Sequence, residues 1–502
     1  MKKRLICLAI LLCMLIALLA SCGATNSDNP KETTKDSDKT GESQSGINPG
    51  DETETGEETS FIADDVPTID MNGFVFTVLH SNRGLLIIPD IDEFTGDIVQ
   101  DAIYEAASYV KERFNINYER IVAGNDNEMA TKVEASVLSS GTANEFSVSI
   151  GHDFLTVSNA MKGCYANLSN IETFNFSKPW WPANNLNSLS VGNKLYVASS
   201  YLSYSPIQGA AVEVFNKDYM KDLGIEEPYQ KAFDKAWYMV DLIELAEAGY
   251  SDLDSNGTID IDAGEKYGFV MGREGGYGTQ RSMDVVPVLK DQDDVPYYGL
   301  DVERAYNFLD NLAMLFDYGK FFLEDNTSQN AAFGANAALF VHAGLSVVYK
   351  TLREYKDITY GFMPVPMLDE LQEDFIAGAT DMVWGIPQTS LEHVREISYI
   401  IEALSCQCYN YVVPAFYDMT MCKKLAESPN DKEVLDIVRD HTALSFAYFY
   451  TRALGGASIA MADLPRQTTA GELSSYVAKN SGTLQDNITI LIEQYEQLDL
   501  LG

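Results

Sequence analysis

The chain has 502 residues, enough for two or three ordinary domains or for one large two-lobed body. Apolar residues make up 46% of it, a proportion sufficient for a sizeable core. Lys and Arg total 35 against 74 Asp and Glu, which gives a formal charge of −39. Phosphate backbones and anionic membrane surfaces would repel so acidic a chain, so nucleic acid is excluded as a partner.

The N-terminus has the composition of a bacterial export signal. Basic residues at 2–4 precede an apolar run over 5–19, which is short for a transmembrane helix. The following Leu19-Ala20-Ser21-Cys22 resembles a lipobox, which predicts a signal peptide at 1–21 and a lipid-modified Cys22 anchored at the extracytoplasmic face of the cell membrane. An ordinary secretory signal or an uncleaved anchor is the alternative.

A polar, acidic segment follows the lipobox. Residues 22–64 are dominated by Ser, Thr, Gly, Asp, Glu and Lys and contain few large apolar side chains. Such a segment buries too little surface to offset its ordering entropy, which predicts a disordered tether.

The first predicted elements of the body alternate between strand and helix. FVFTVLH at 74–80 is rich in β-branched and aromatic residues and predicts a strand. Apolar residues recur with a helical period over 97–114, with Asp97 as the expected N-cap. A strand at INYERIVA, a helix at NEMATKVEASVLSSG and a strand at FSVSIGHDF complete an α/β pattern with a parallel sheet.

The remaining chain continues this pattern without an internal repeat. Strands are predicted at KLYVASSYLS, AVEVFN, ITYGFMPVPM and DMVWGIP. Helices are predicted near residues 217–223, 237–248, 301–317, 332–342, 390–408, 415–427, 431–440 and 470–498. Outside the signal peptide and lipobox, the cysteines are Cys164, Cys406, Cys408 and Cys422, for which three complete pairings are possible and buried free thiols are favoured.

One calcium-type loop lies after the helix at 237–248. SDLDSNGTIDIDAGEKYGF, which begins at Ser251, spaces oxygen-bearing side chains around a glycine as an EF-hand loop does. Its twelfth position is Ala263, so Glu265 or Asp262 must supply the closing carboxylate. A structural calcium ion is expected, and a solvated acidic turn is the alternative. The predicted ligands are Asp252, Asp254, Asn256, Thr258, Asp260 and Glu265.

Four motifs follow one another in an order that is typical of one protein family. They are GNKLYVASSYLS followed by AVEVFNKDYMKDLGIEEPY, then FGANAALFVHAG, YGFMPVPMLDE and DMVWGIPQTS. Together they resemble the extracellular solute-binding lipoproteins of bacterial ABC importers, in the large sugar-binding class related to maltose-binding protein. One departure is that His342-Ala343-Gly344-Leu345 stands where many sugar binders carry a Trp.

The resemblance implies a two-lobed periplasmic-binding-protein-like fold of type II, α/β in class, with lobes joined by crossing strands. Lobe 1 would comprise 65–205 with 367–410, and lobe 2 would comprise 206–366 with 411–502. Hinges are expected near 205–213, 362–366 and 408–414. The implied protein is a monomeric, non-catalytic receptor that passes a carbohydrate, expected to be an oligosaccharide, to ABC permease subunits. A surface glycoside-active enzyme and a ligand sensor for a membrane kinase are the alternatives.

Sugar recognition requires flat aromatic rings and side chains that bond hydroxyl groups. Trp180 and Trp181 lie between two prolines in SKPWWPANN, where either cleft contact or lobe packing is expected. For Trp384, core packing is the alternative to ligand contact. The predicted ligand-binding residues are Asp153, Trp180, Trp181, Tyr204, Tyr277, Arg281, Asp381 and Trp384.

Overall fold

The computed structural model of the chain describes residues 61–81, 88, 93–138, 145–272, 275–322, 327–380, 382–456 and 472–499. Its strands are β1 (Phe74–Ser81), β2 (Ile116–Ala123), β3 (Val148–His152), β4 (Ala211–Asn216), β5 (Tyr267–Gly272), β6 (Val288–Lys290), β7 (Pro296–Tyr298), β8 (Gly319–Phe322), β9 (Ala338–Gly344), β10 (Tyr360–Pro364), β11 (Ala377–Gly378), β12 (Met382–Gly385) and β13 (Thr442–Ala443).

The α-helices are α1 (Ile98–Phe114), α2 (Asp126–Leu138), α3 (Asp153–Met161), α4 (Ala183–Asn187), α5 (Ser205–Gln208), α6 (Lys217–Leu223), α7 (Tyr229–Phe233), α8 (Met239–Gly249), α9 (Gly275–Ser282), α10 (Val302–Asp317), α11 (Ser328–Gly334), α12 (Leu345–Lys350), α13 (Val394–Gln407), α14 (Pro429–Asp440), α15 (Phe446–Phe449) and α16 (Leu473–Asp499). Two π-helical segments, π1 (Cys408–Val412) and π2 (Ala415–Leu425), lie between α13 and α14.

The first lobe is built on the sheet β12-β3-β1-β2. β1 pairs in parallel with both β2 and β3, whereas β12 pairs antiparallel to β3. Helix α1 covers this sheet, and its start is fixed as predicted, because the Asp97 side chain accepts hydrogen bonds from the backbone N–H groups of Val99 and Gln100. The helix ends at Asn115, which has the left-handed conformation that closes a helix.

The second lobe is built on the sheet β10-β4-β9-β5-β8. β4 runs antiparallel to its two neighbours, and β5 runs parallel to β8 and β9. The carboxyl ends of β5, β8, β9 and β10 and the start of β4 therefore lie along one edge of the sheet. In open α/β sheets, ligands bind outside the carboxyl ends of the strands.

Two chain crossings lie against each other between the lobes. Ala210, just before β4, forms a bridge with Ala379, just after β11. A Cβ atom on Gly209 would lie 1.8 Å from the Thr380 carbonyl oxygen, so this contact requires glycine. The second crossing is thus near 377–380, and the prediction of a hinge at 362–366 is wrong. Residues 360–364 remain in the second sheet, and Met367 pairs with Tyr238.

The C-terminal segment contacts both lobes, which corrects the assignment of all of 411–502 to the second lobe. Helix α14 packs on β10 of the second lobe. At the start of α16, Ser474 bonds the Tyr306 hydroxyl on α10. Near its end, the Tyr495 carbonyl oxygen accepts from Lys194 Nζ at 3.3 Å, and the Tyr495 ring packs on Tyr196.

The helix predicted at 332–342 is also wrong. Helix α11 ends at Gly334, Asn336 adopts a positive φ of 57°, and β9 begins at Ala338. The alanines there favour a helix intrinsically, but ALFVHAG pairs with β4 on one side and β5 on the other. Likewise, KLYVASSYLS forms only isolated bridges, such as Ala198 with Trp384.

Helix α16 is the longest of the described helices. Within the described residues, no helix combines the length and apolar composition that crossing a membrane requires. Cys164, Cys406, Cys408 and Cys422 are buried and unpaired, as expected.

Candidate functional site

The adjacent tryptophans form part of the core of the first lobe. Trp180 and Trp181 are 0% and 2% exposed. Both indole N–H groups donate to the Glu402 carboxylate on α13, Trp180 Nε1 at 2.9 Å and Trp181 Nε1 at 3.1 Å. The prediction of ligand contact for this pair is therefore wrong, because a buried carboxylate satisfies both polar edges. Burial raises the pKa of Glu402 to about 7.

Trp384 and Tyr204 are also packed inside the protein. Trp384 is fully buried and donates from Nε1 to Ser200 Oγ at 3.0 Å. Tyr204 is 3% exposed and packs its ring against Phe416 of π2, with the centroids 5.8 Å apart. Burial raises the Tyr204 pKa well above its ordinary value. Both predicted ligand contacts are corrected to packing residues.

Three other predicted contacts are located only in part. Asp153 begins α3 directly after β3, at the carboxyl edge of the first sheet, and Tyr277 lies on α9. The side chains of both residues are not among those that the structure describes. Asp381 lies outside the described residues altogether.

Arg281 lines a cavity between the lobes, which we call the outer cavity. It measures about 420 Å³, and its wall includes Asn184 and Ser188 of the first lobe together with His441 and Phe446. Arg281 Nε and Ser188 Oγ both donate to the Leu444 carbonyl oxygen, at 3.2 and 3.1 Å. Arg281 also pairs with Asp284 at 3.0 Å. Burial nonetheless lowers the pKa of Arg281 below its usual value.

A second cavity of about 130 Å³, the hinge cavity, lies where the two crossings meet the edge of the second sheet. His342 on β9 and Gln329 on α11 line it together with Ser346 and Thr380. The rest of its wall is rich in glycine, namely Gly209, Gly272, Gly275, Gly278, Gly344 and Gly378. Helix α9 contributes to the walls of both cavities.

The glycines allow an imidazole ring to lie against α9. Gly275 and Gly278 are three residues apart and therefore share one helix face. A Cβ atom on Gly275 would lie 2.6 Å from His342 Cδ2, which is closer than side chains tolerate. The GGYG sequence thus creates the space that His342 occupies.

His342 is paired with a carboxylate that the sequence analysis did not identify. Glu213 on β4 lies opposite His342 in the strand register, and Glu213 Oε1 is 2.8 Å from His342 Nδ1. Glu213 is 1% exposed and His342 is 3% exposed. A Glu within the apolar strand AVEVFN and a His within ALFVHAG were the available signals, because buried charges are almost always paired.

The calcium-type loop brings three carboxylates together away from these cavities. Ligand oxygens of Asp252, Asp254 and Glu265 all lie within 4.8 Å of one another. Glu265 is 2% exposed and accepts from the backbone N–H of Leu253 at 2.9 Å and of Asp260 at 2.7 Å. Three converging carboxylates are the donor set that Ca²⁺ prefers.

The other predicted loop ligands have local partners. The Asp260 carboxylate accepts from the N–H groups of Asp262 and Ala263. Asn256 Oδ1 accepts from Thr258 N at 2.7 Å. Glu265 belongs to the carboxylate cluster, whereas Asp260 and Asp262 lie outside it.

Comparisons with known proteins identify the fold. No protein-family profile and no curated protein sequence matches the chain. Among solved structures, the cyclic α-maltosyl-1,6-maltose binding protein from Arthrobacter globiformis is similar, with a TM-score of 0.55, 12% identity, and coverage of 84% of this chain and 99% of that one.

Two further structures are similar over the same share of the chain. The galacto-N-biose/lacto-N-biose I-binding protein of an ABC transporter from Bifidobacterium longum, bound to lacto-N-biose, has a TM-score of 0.52 at 12% identity, covering 84% of this chain and 98% of that one. UgpB from Mycobacterium tuberculosis, bound to glycerophosphocholine, has a TM-score of 0.51 at 13% identity, covering 84% and 99%. At these identities the similarity establishes the fold, which is the predicted type II fold of periplasmic binding proteins.

Proposed function

We propose that this chain, which has the type II periplasmic-binding-protein fold, captures a carbohydrate between its lobes and delivers it to the permease of an ABC importer. The observation that carries the proposal is a pair of adjoining crossings between two open α/β lobes, with cavities beside them. Such cavities are the usual place for small-molecule binding. The carbohydrate ligands of two structures with this fold support the choice of ligand class.

The outer cavity has the chemistry that a sugar requires. Val288 and Phe446 supply apolar surface, and Asn184, Arg281 and His441 supply polar groups in the same wall. Mixed apolar surface with a few polar groups is typical of small-molecule sites.

A thermal-shift screen of residues 61–502 against mono- and oligosaccharides tests the proposal. We expect a specific carbohydrate to raise the melting temperature and to be recovered intact after prolonged incubation. Recovery of cleaved product would instead support the glycoside-active enzyme. A screen in which no carbohydrate changes the melting temperature would contradict the proposal.

The anchor is the second part of the proposal. Lipid attachment at Cys22 would hold the receptor at the extracytoplasmic face of the membrane. The predicted signal peptide at 1–21, Cys22 and the predicted tether up to residue 60 lie outside the described residues. The tether would end before 61–64, because Ile62 N–H donates to Asn410 and Asp64 pairs with Arg113 at 2.7 Å. The lipobox sequence supports lipid attachment, because the diacylglycerol added to such a cysteine carries two acyl chains. Durable anchoring requires more than one acyl chain. Detergent-phase partitioning of the full chain tests it: Cys22→Ser should move the protein to the aqueous phase.

We further propose that the loop at 252–265 binds calcium. Asp252, Asp254 and Glu265 would hold the ion, and the bound charge would offset the repulsion among their carboxylates. The loop joins α8 to β5, so the ion would stabilise that connection rather than contact the solute.

A further inference from the structure

One buried acceptor atom in the wall of the hinge cavity and another behind His342 lack hydrogen-bond partners in the described structure. Gln329 is 7% exposed and lines the cavity, and its Oε1 has no partner. Its Nε2 is already directed to the His342 carbonyl oxygen at 3.4 Å. Glu213 Oε2, behind His342, is likewise buried without a partner. Leaving such atoms unpaired is costly, so these atoms indicate a donor that the described residues do not supply.

His342 adds a third acceptor. An ionised carboxylate only accepts hydrogen bonds, so the bond to Glu213 Oε1 requires the proton to be on His342 Nδ1. In the neutral ring, Nε2 is then an acceptor, and it lies 3.8 Å from where a Cβ atom on Gly278 would be. The charge of Glu213 is thereby placed directly behind the ring that lines the cavity.

The part of the cavity wall that the structure describes supplies no cation to balance this charge. Among its described lining residues there is neither Lys nor Arg. A primary ammonium group has three donors, no acceptor and a positive charge, whereas a hydroxyl group donates only once. Hydrogen bonds between an ammonium and acceptors beside a carboxylate are also stronger than neutral ones.

Size limits what enters the cavity. About 130 Å³ is room for roughly four water molecules, each with a share of about 30 Å³ in the liquid. It therefore accepts one substituent of a solute and not a whole sugar ring, while the remainder of the solute would extend along α9 toward the outer cavity.

We infer that the hinge cavity is a subsite for a primary ammonium group of the solute, held by Gln329 and His342 with Glu213 supplying the charge, so that the preferred ligands are amino sugars. This inference rests on the proposed function and narrows its ligand class.

Calorimetric titration with two matched sugar pairs tests the inference. One pair is glucosamine and glucose, and the other is the β-1,4-linked glucosamine dimer and cellobiose. Within each pair, the first sugar carries amines where the second carries hydroxyl groups. We expect the amine-bearing member to bind at least about tenfold more tightly, as one charge-assisted hydrogen bond provides. The isosteric Glu213→Gln should remove that preference, whereas Glu226→Gln, at an exposed position, should leave it unchanged.

The four sugars are compared on the wild-type protein alone, so the test remains valid even if Glu213→Gln misfolds. Equal or tighter binding of glucose or cellobiose would overturn the ammonium subsite while leaving carbohydrate capture intact. Binding of none of the four sugars would also overturn the subsite, and the broader carbohydrate screen would then decide the proposed function separately.

Discussion

Two buried carboxylates of this chain accept hydrogen bonds from donors in distant segments. Glu402 accepts from Trp180 and Trp181, more than 200 residues earlier. Asp431 is fully buried and accepts from Lys217 Nζ at 2.7 Å and from the Ser428 backbone N–H at 3.0 Å. Such pairings fix which segments adjoin, since a buried charge left alone is strongly destabilising.

Replacing Glu402 by Gln should change how stability depends on pH. The Glu402 pKa is about 7 in the folded protein against 4.5 ordinarily, so between these values the folded state retains a proton that the unfolded state releases. Wild-type stability from this group therefore falls as the pH rises from about 4.5 to about 7. Because Gln does not titrate, the stability of Glu402→Gln relative to wild type should rise by roughly 1–3 kcal/mol across this window.

Urea unfolding of both proteins at pH 5 and pH 7.5 measures this difference. Glu226→Gln, which is exposed, serves as the control. If the difference in unfolding free energy between Glu402→Gln and wild type is the same at both pH values, the buried-carboxylate account is wrong.

For single residues, the sequence predicted roles that depend on neighbouring residues better than it predicted which side chains are buried. Asp97 was recognised as an N-cap because capping depends on neighbouring residues. Trp180, Trp181, Trp384 and Tyr204 were misplaced because their burial depends on Glu402, Ser200 and Phe416, which are remote in the chain. Glu213 and His342 were missed for the same reason: only the register of β4 and β9 pairs them.

Among the elements, the loop at 252–265 forms in the structure the glycine turn that its sequence predicts. Its turn at Gly257 has φ of 76°, which glycine adopts without strain. Asp252 accepts from Gly257 N at 2.8 Å, so the carboxylates are already oriented by the loop backbone.

Calcium should raise the melting temperature of residues 61–502, and Glu265→Gln should abolish that rise. A ligand present at 100 times its Kd stabilises by about 2.7 kcal/mol, because it binds only the folded state. Asp262→Asn is the matched control, since Asp262 is exposed and lies outside the carboxylate cluster.

The calcium-induced shift, rather than the basal melting temperature, is the deciding measurement, because Glu265 also accepts two loop N–H groups. Loss of the shift in Asp262→Asn with its retention in Glu265→Gln would contradict the assignment of the closing ligand.

Helices with a strong apolar periodicity were predicted correctly. Elements whose structure depends on strand pairing were not. Helices α1, α10 and α14 follow their apolar periods closely. Strand β9 was predicted as helix because its alanine-rich approach favours one. The Pro-x-Pro at 364–366 ends β10, but it does not mark the crossing, which depends on the Ala210–Ala379 bridge.

In the whole molecule, the lobes also meet away from the crossings. Lys290 on β6 donates to the Ser190 carbonyl oxygen at 2.5 Å and to Asp294 at 2.8 Å. The Asn193 backbone N–H donates to Asp294 Oδ2 at 2.9 Å. The hairpin of β6 and β7 is thereby joined to the 187–194 segment of the first lobe.

Lys290→Met should therefore destabilise the whole body. It leaves Ser190 and Asp294 without their cation. The pair is partly buried, with side chains 16% and 17% exposed, so its loss should cost more than the about 0–1 kcal/mol of an exposed pair and less than the about 3–5 kcal/mol of a fully buried one. Lys235→Met is the control: Lys235 pairs with Asp374 at 2.6 Å but is 55% exposed, and such pairs contribute about 0–1 kcal/mol.

Chemical unfolding of both variants compares the two pairs directly. Equal losses of unfolding free energy in Lys290→Met and Lys235→Met would show that the hairpin does not link the lobes.

Native mass spectrometry of residues 61–502 mixed with a carbohydrate pool measures whether this two-lobed chain captures an intact carbohydrate. We expect a monomer carrying a single carbohydrate, whose released mass equals that of a species in the pool. A protein that acquires no carbohydrate, or that releases only shortened products, would contradict this expectation.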